Sequence, residues 1–224
     1  MPSPTIGVMI PILIRNFKQI SMTQKCLKLA REKTALPFQL IIVESGSQYF
    51  FDEADIYIYE KKTTTPEIGH NIGFRVATRN DFVVLLTNDV YMTDNWLEVL
   101  LDTFNHKSDA GLSTLGTSIK GHIKEDKIEE GNWFDVCMIK KEVFSKIGYY
   151  DERFIGSFPD TDFLIRAYKE GWKMYRNFNC IAGGEQPHQT VYGNPKFQEN
   201  YEQGRRLFRE KHEGCNLAVY EACK

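Results

Sequence analysis

Phe82-Val-Val-Leu-Leu-Thr-Asn-Asp-Val90 is the stretch that decides how this chain folds. Its five consecutive apolar residues show no alternation, so they read as a strand buried on both faces, the kind found in parallel sheets covered by helices. The run stops at Asn88-Asp89, and a helix opens soon after at Asn95-Trp96-Leu97-Glu98. In open α/β sheets ligands gather at the C-terminal ends of the strands, which puts the Asp89 carboxylate at the crevice. One acid is too few ligands to hold a metal alone, whereas Mg²⁺ or Mn²⁺ is commonly held by one or two carboxylates together with substrate phosphates. A ligand carrying a diphosphate is the expectation there.

Outward from that strand, residues 6–10 read as a first strand closed by Pro11, and Ser21-Met-Thr-Gln24 as a capping box opening a helix to about residue 30. Leu40-Ile-Ile-Val43 is a second buried strand, ending in the turn chemistry of Glu44-Ser45-Gly46-Ser47. Residues 56–59 alternate as a third, partly exposed strand, and a short helix leads to Phe82. The order is βαβ-like and predicts a mostly parallel sheet, with Glu44 and Asp89 at two strand ends facing one crevice. Beyond a helix over 95–104, residues 111–131 are Gly-rich and charged with few clear periods, and 120–130 read as a solvated hairpin or loop. A strand over 133–139, a short helix over 141–147 ended by Gly148, and a helix over 160–170 stopped by Gly171 follow. The last helix, 195–212, is highly charged and is expected to pack outside the main core.

At 224 residues the chain fits one large α/β domain, and 42% hydrophobic with 26% charged residues is ordinary for a globular protein. A formal net charge of −2 offers no basic footprint for nucleic acid. Five cysteines, odd in number and without C-x-x-C spacing, argue against a disulfide framework or a zinc site and fit a reducing, cytoplasmic setting. The first apolar run has no basic start and is broken by Pro11, and no run approaches the roughly 18 apolar residues of a membrane span.

Five segments resemble the inverting nucleotide-sugar glycosyltransferases of family 2, in particular their rhamnosyltransferase-like branch: Val8-Met-Ile-Pro11, Ile41-Ile-Val-Glu-Ser-Gly-Ser47, Asn71-Ile-Gly-Phe74, Leu85-Leu-Thr-Asn-Asp-Val90 with Trp96-Leu97, and residues 144–172. The last includes Asp151-Glu152, Asp160-Thr-Asp162, Arg166 and Gly171-Trp172. The resemblance implies a GT-A fold, a Rossmann-like mixed and mostly parallel central sheet flanked by helices in a single domain. Residues 1–104 would form its nucleotide-sugar half, and 105–224 its acceptor half with the C-terminal helix. It also implies a nucleotide diphosphate sugar donor, with UDP the expected carrier, a saccharide or glycan acceptor, and Mn²⁺ or Mg²⁺. The chain departs from the pattern at Glu44, where the family usually has Asp, at Pro159, where it usually has Glu, and in a short segment between Asn71 and Asp89 that predicts a truncated helix.

Carried over residue by residue, the resemblance assigns the metal to Asp89 and His188, and the donor to Pro11, Glu44, Ser45, Gly46, Asn71, Gly73 and Asn88. Asp160 matches the general base, with Trp133 and Asp162 on the acceptor side. Each has a plainer reading. Asp89 and Glu44 are also turn acids, Gly46 and Gly73 turn formers, and Asn71 a turn residue. Asp160 also caps a helix, Asp162 pairs with Arg166 four residues on, Trp133 and Phe134 belong to the core, and His188 and His70 are lone histidines. A nucleotidyltransferase is the first rival, disfavoured because residues 12–17 contain no glycine for a phosphate loop. A silent glycan- or nucleotide-binding module is the second.

Overall fold

The computed structural model describes residues 9–61, 65–117, 127–184 and 196–213. In chain order the elements are β1 (Ile10–Phe17), α1 (Ile20–Lys33), β2 (Phe38–Ser45), β3 (Ile56–Glu60), α2 (Pro66–Ala77), β4 (Phe82–Leu86), β5 (Val90–Tyr91) and α3 (Trp96–His106). They continue as β6 (Ala110–Thr117), β7 (Ile128–Glu130), β8 (Val136–Lys140), α4 (Lys141–Ile147), α5 (Pro159–Lys169), β9 (Lys173–Gly184) and α6 (Phe197–Lys211). The sheet runs β3-β2-β1-β4-β8-β6-β9-β5, with β7 on the flank of β9. β3, β2, β1 and β4 are mutually parallel, β8 runs against both β4 and β6, and β6 pairs parallel with β9. The C-terminal ends of β1, β2 and β4 therefore meet at one edge. No helix among the described residues is long and apolar enough to cross a membrane.

The uninterrupted apolar runs follow from burial on both sheet faces. Ile12, Ile14, Leu40, Ile42, Val84 and Leu86 point to one side, against Leu27 of α1 and Trp96, Leu97 and Leu100 of α3. Leu13, Ile41, Val43, Val83 and Leu85 point to the other, against Phe74 of α2, Phe144 of α4 and Phe163 and Ala167 of α5. A period of two splits each strand between two cores.

α2 lies flush on β1 because two glycines face it. A Cβ on Gly73 would stand 2.2 Å from Leu13 Cδ1, and one on Gly69 2.4 Å from Arg15 Nε. Gly69 and Gly73 are one helical turn apart, and Leu13 and Arg15 share a strand face. Gly73 is thus a helix-packing residue, not the turn former expected.

Three expectations shift here. The first strand starts at Ile10, where it was expected to end. Pro11 pairs with Gln39 on the β2 side, but pairing with β4 begins only at Ile12, so the missing N–H falls where one flank is still open. Ser21 lies inside α1, whose N-cap is Gln19 with no side-chain cap. The helix between β3 and β4, α2, has 12 residues, begins before Asn71 and ends six residues beyond it at Ala77. The Gly-rich stretch contains β6, and residues 173–184 form the long β9, neither of them anticipated. Cys26 and Cys137 are buried and free, and burial pushes both thiols far up.

Gly73→Ala is expected to destabilise the fold by about 1–3 kcal/mol by forcing α2 off β1, a loss that urea denaturation would register as a lower midpoint with unchanged slope.

Candidate donor and acceptor crevice

The crevice is assembled from strand ends. Asn16 and Glu44 are register partners on β1 and β2, and both are fully buried. The Asn16 amide donates to Glu44 Oε2, while its Oδ1 accepts from Thr23 Oγ1 at 2.7 Å and from the Gln19 backbone at 3.2 Å. Asn88, just past β4, donates to Thr23 Oγ1 at 2.7 Å. One polar chain, Glu44–Asn16–Thr23–Asn88, thus joins the ends of three strands and the first turns of α1. The second Glu44 oxygen receives the Ser47 backbone N–H at 2.9 Å, closing a turn whose Gly46 takes φ +91°. Ser45 is buried, and its hydroxyl accepts from Arg15 Nη2 at 3.1 Å.

Arg15 is a residue that sequence reasoning missed, as are Asn16 and Thr23. Its guanidinium lies among Glu44, Glu60 and Glu67, whose charges oppose the downward push of burial. Burial raises the carboxyls of Glu60 and Glu67. Beside them, burial and the nearby Arg15 charge drive the His70 imidazole down to about 3, so it is neutral at physiological pH.

Asp89 sits in the turn that the Val90 N–H closes onto the Thr87 carbonyl at 3.2 Å. It is partly exposed, and among the described residues no side chain bonds or ion-pairs with its carboxylate. Below it, Cys26 Sγ lies 3.5 Å from the Val90 carbonyl, and the Asp89 charge helps to raise the thiol. No group of three or more His, Cys, Asp or Glu side chains among the described residues is placed to hold a metal. His188 lies outside the described residues.

Residues 131–135 carry the crevice from β4 towards α5. The Asp135 carbonyl accepts from the Thr87 N–H at 2.8 Å, the partly buried Trp133 donates its indole N–H to the Asp135 carboxylate, and Phe134 meets Phe163 of α5 edge to face at 6.4 Å. Asp160 lies in the first turn of α5, with Oδ1 accepting from the Thr161 N–H at 2.8 Å. Burial pushes its carboxyl above the ordinary range, against the pull of the Thr161 bonds.

The geometry gives other work to several expected site residues. Pro11 sits at the start of β1, about 16 Å of strand from Asn16 at roughly 3.3 Å per residue, and so at the wrong end for the crevice. Asn71 is buried, with its amide holding both the Tyr150 N–H at 3.0 Å and the Tyr150 carbonyl at 2.9 Å. Gly73 faces Leu13. Asp162 is fully buried, bound by Arg166 at 2.9 Å as the i,i+4 spacing anticipated, and also by Lys211 and His212. Glu44, Ser45, Gly46, Asn88 and Asp89 do come together at adjoining strand ends. β1 reaches Phe17, and only Lys18 and Gln19 separate it from α1, which leaves no room for a Gly-rich phosphate loop.

The profile of glycosyl transferase family 2 matches residues 8–158. The chain belongs to glycosyl transferase family 2. The match covers β1 through the turn before α5 and stops short of Asp160. Among solved structures, the mannosyltransferase PcManGT from Pyrobaculum calidifontis, in complex with GDP-Man and Mn²⁺, aligns with a TM-score of 0.71 at 11% identity over 98% of this chain and 69% of its own. TarS 1-349 from S. aureus aligns with 0.68 at 11% identity, over 96% of this chain and 68% of its own. GalNAc-T7 with UDP, GalNAc and Mn²⁺ aligns with 0.67 at 11%, over 84% of this chain and 45% of its own. Such distant likeness shows the fold, a GT-A α/β domain. No curated protein matches the sequence.

Because Asp160 binds its proton more tightly folded than unfolded, its contribution to stability is full below the unfolded value and is lost as pH rises through the folded one. Asp160→Asn is therefore expected to melt above the wild type at pH 7, with the gap closing on acidification towards the ordinary aspartate value of about 3.9. Melting curves over that range check the sign.

Proposed function

We propose that the protein is a metal-dependent, inverting glycosyltransferase that moves a hexose or deoxyhexose from a nucleoside diphosphate to a glycan hydroxyl. UDP is the favoured carrier, and the resemblance to the rhamnosyltransferase-like branch supports the sugar class. What supports the reading is a family 2 chain with Asp89 just past the end of β4, without a protein partner among the described residues, and Asp160 in the first turn of α5, with raised proton affinity; residues 131–135 touch both elements through the Thr87–Asp135 bond and the Phe134–Phe163 contact.

On this reading the nucleoside lies against the Glu44–Gly46 turn at the exposed Gly46, with Glu44 and Ser45 shaping that turn from their fully buried positions and Asn88 on the ribose or sugar. One carboxylate with diphosphate oxygens suits a hard cation, so Asp89 would hold Mn²⁺ or Mg²⁺. When bound, the ion neutralises the charge growing on the departing diphosphate. Asp160 accepts the proton of the acceptor hydroxyl as its oxygen bonds to the anomeric carbon, and the bond from that carbon to the diphosphate oxygen breaks. A single displacement inverts the centre without an enzyme nucleophile. A carboxylate raised by burial is a stronger base than one in water, which suits this role. On this reading Trp133, whose indole N–H bonds the Asp135 carboxylate, would offer a ring face to a sugar. The PcManGT complex with GDP-Man and Mn²⁺ and the GalNAc-T7 complex with UDP and Mn²⁺ support a nucleotide-sugar donor and a divalent ion.

In a thermal-shift panel of UDP, GDP, dTDP and CMP, with and without Mn²⁺, a nucleoside diphosphate is expected to raise the melting temperature only with the metal. Asp89→Ala should abolish that shift. Asp160→Asn should keep it while losing turnover by about 10²–10⁴. No shift with any nucleotide would turn the reading towards a silent binding module.

A further inference from the structure

The C-terminal helix α6, which lies beyond the family match, seats its inner face on the turn that delivers Asp160. Phe158, immediately before α5, takes a left-handed backbone (φ 70°), and its ring packs on Tyr201 at 5.2 Å and Phe208 at 5.6 Å. Gly204 allows this approach, since a Cβ there would meet Phe158 Cδ2 at 3.1 Å and the Ser157 carbonyl at 3.2 Å. Phe154, Ile165 and Phe208 form a small core of their own.

The end of α6 then reaches Asp162. Lys211 Nζ stands 2.7 Å and His212 Nε2 2.8 Å from Asp162 Oδ1, while Arg166 Nε takes Oδ2 at 2.9 Å. The carboxylate is fully buried, and His212 is only 3% exposed. Lys211 also bridges to Asp151 at 2.7 Å, and Arg166 continues to the carbonyls of Ile147 and Tyr149. A buried carboxylate held from three sides cannot rotate without stranding a charge.

We infer that Lys211 and His212 are positioning residues for Asp160: by gripping the Asp162 carboxylate they fix the first turn of α5 and so the direction of the base two residues earlier. The inference rests on the role proposed for Asp160. It gives Asp162 an orienting task in place of direct acceptor contact. It also separates the fold, completed by the sheet, from its working geometry, completed by α6.

The test compares His212→Ala, His212→Gln and Lys211→Met in the full chain, reading nucleoside diphosphate release from UDP-GlcNAc and from GDP-mannose with Mn²⁺, alongside hydrogen exchange. His212→Ala and Lys211→Met should lower kcat about tenfold to a hundredfold, the scale of a small misplacement, with the donor KM unchanged. His212→Gln, which can still donate to Asp162, should recover most of the loss. Exchange should quicken over residues 158–166 while β1 and β4 keep their protection. Unchanged kcat and unchanged exchange would overturn the inference, as would a loss of protection spreading through the sheet. If the wild type releases no nucleoside diphosphate, the functional reading fails on its own. The exchange data then decide the grip: selective loss at 158–166 retains it and unchanged protection removes it.

Discussion

The crevice depends on the side chain of Asn16. It is fully buried at the end of a central strand, where an apolar residue would be the default, and its amide has one orientation that satisfies its neighbours. The NH₂ faces the Glu44 carboxylate, which only accepts, and the oxygen faces Thr23 and the Gln19 N–H. That polarity propagates: Thr23 spends its proton on Asn16 and so must accept from Asn88. A buried network with every member satisfied rigidifies what it joins. Here it joins β1, β2, β4 and α1, and the Asn88–Asp89 turn inherits its placement from residues more than sixty positions away.

Much of the fold was legible because its signals are local. The Phe82 run, the Leu40 run and the Phe163, Leu164 and Ala167 face of α5 are buried as their patterns require. Gly148 and Gly171 end helices with φ +74° and +83°. β1 misled because Pro11 reads as a terminator, and only the stagger between its β2 and β4 pairings shows how a proline enters a central strand. That displaced boundary hid Arg15 and Asn16, which fall outside the strand read over 6–10. β6 and β9 escaped because Gly111 and Gly116 accommodate Trp172 and Phe178, so close packing replaces the apolar alternation by which strands are read.

In the site, the strand-end acids were legible because an abrupt change from apolar to acidic is visible in one dimension. Asn71 was not, since its motif is equally that of a ligand contact and of a helix residue clasping a distant loop. Its bonds to Tyr150 span 79 positions. Asp162 shows the same ambiguity: the partner at i,i+4 is readable, and the two from α6 are set only by tertiary packing. The antiparallel β8 marks the seam between the two kinds of evidence. On one side lie parallel strands with local signatures. On the other lie Asp160, the turn before it and α6, whose arrangement depends on long-range contacts.

The buried thiols turn the protein into its own reporter of motion. Cys26 lies under the Asn88–Asp89 turn, bonded to the carbonyls of Thr87 and Val90, and Cys137 lies mid-sheet on β8. A thiol held protonated and out of water meets an alkylating reagent only when its surroundings open. Their two labelling rates therefore sample different events, the opening of one turn and the opening of the sheet. The ratio between them compares the opening of the Asn88–Asp89 turn with that of the sheet that carries it.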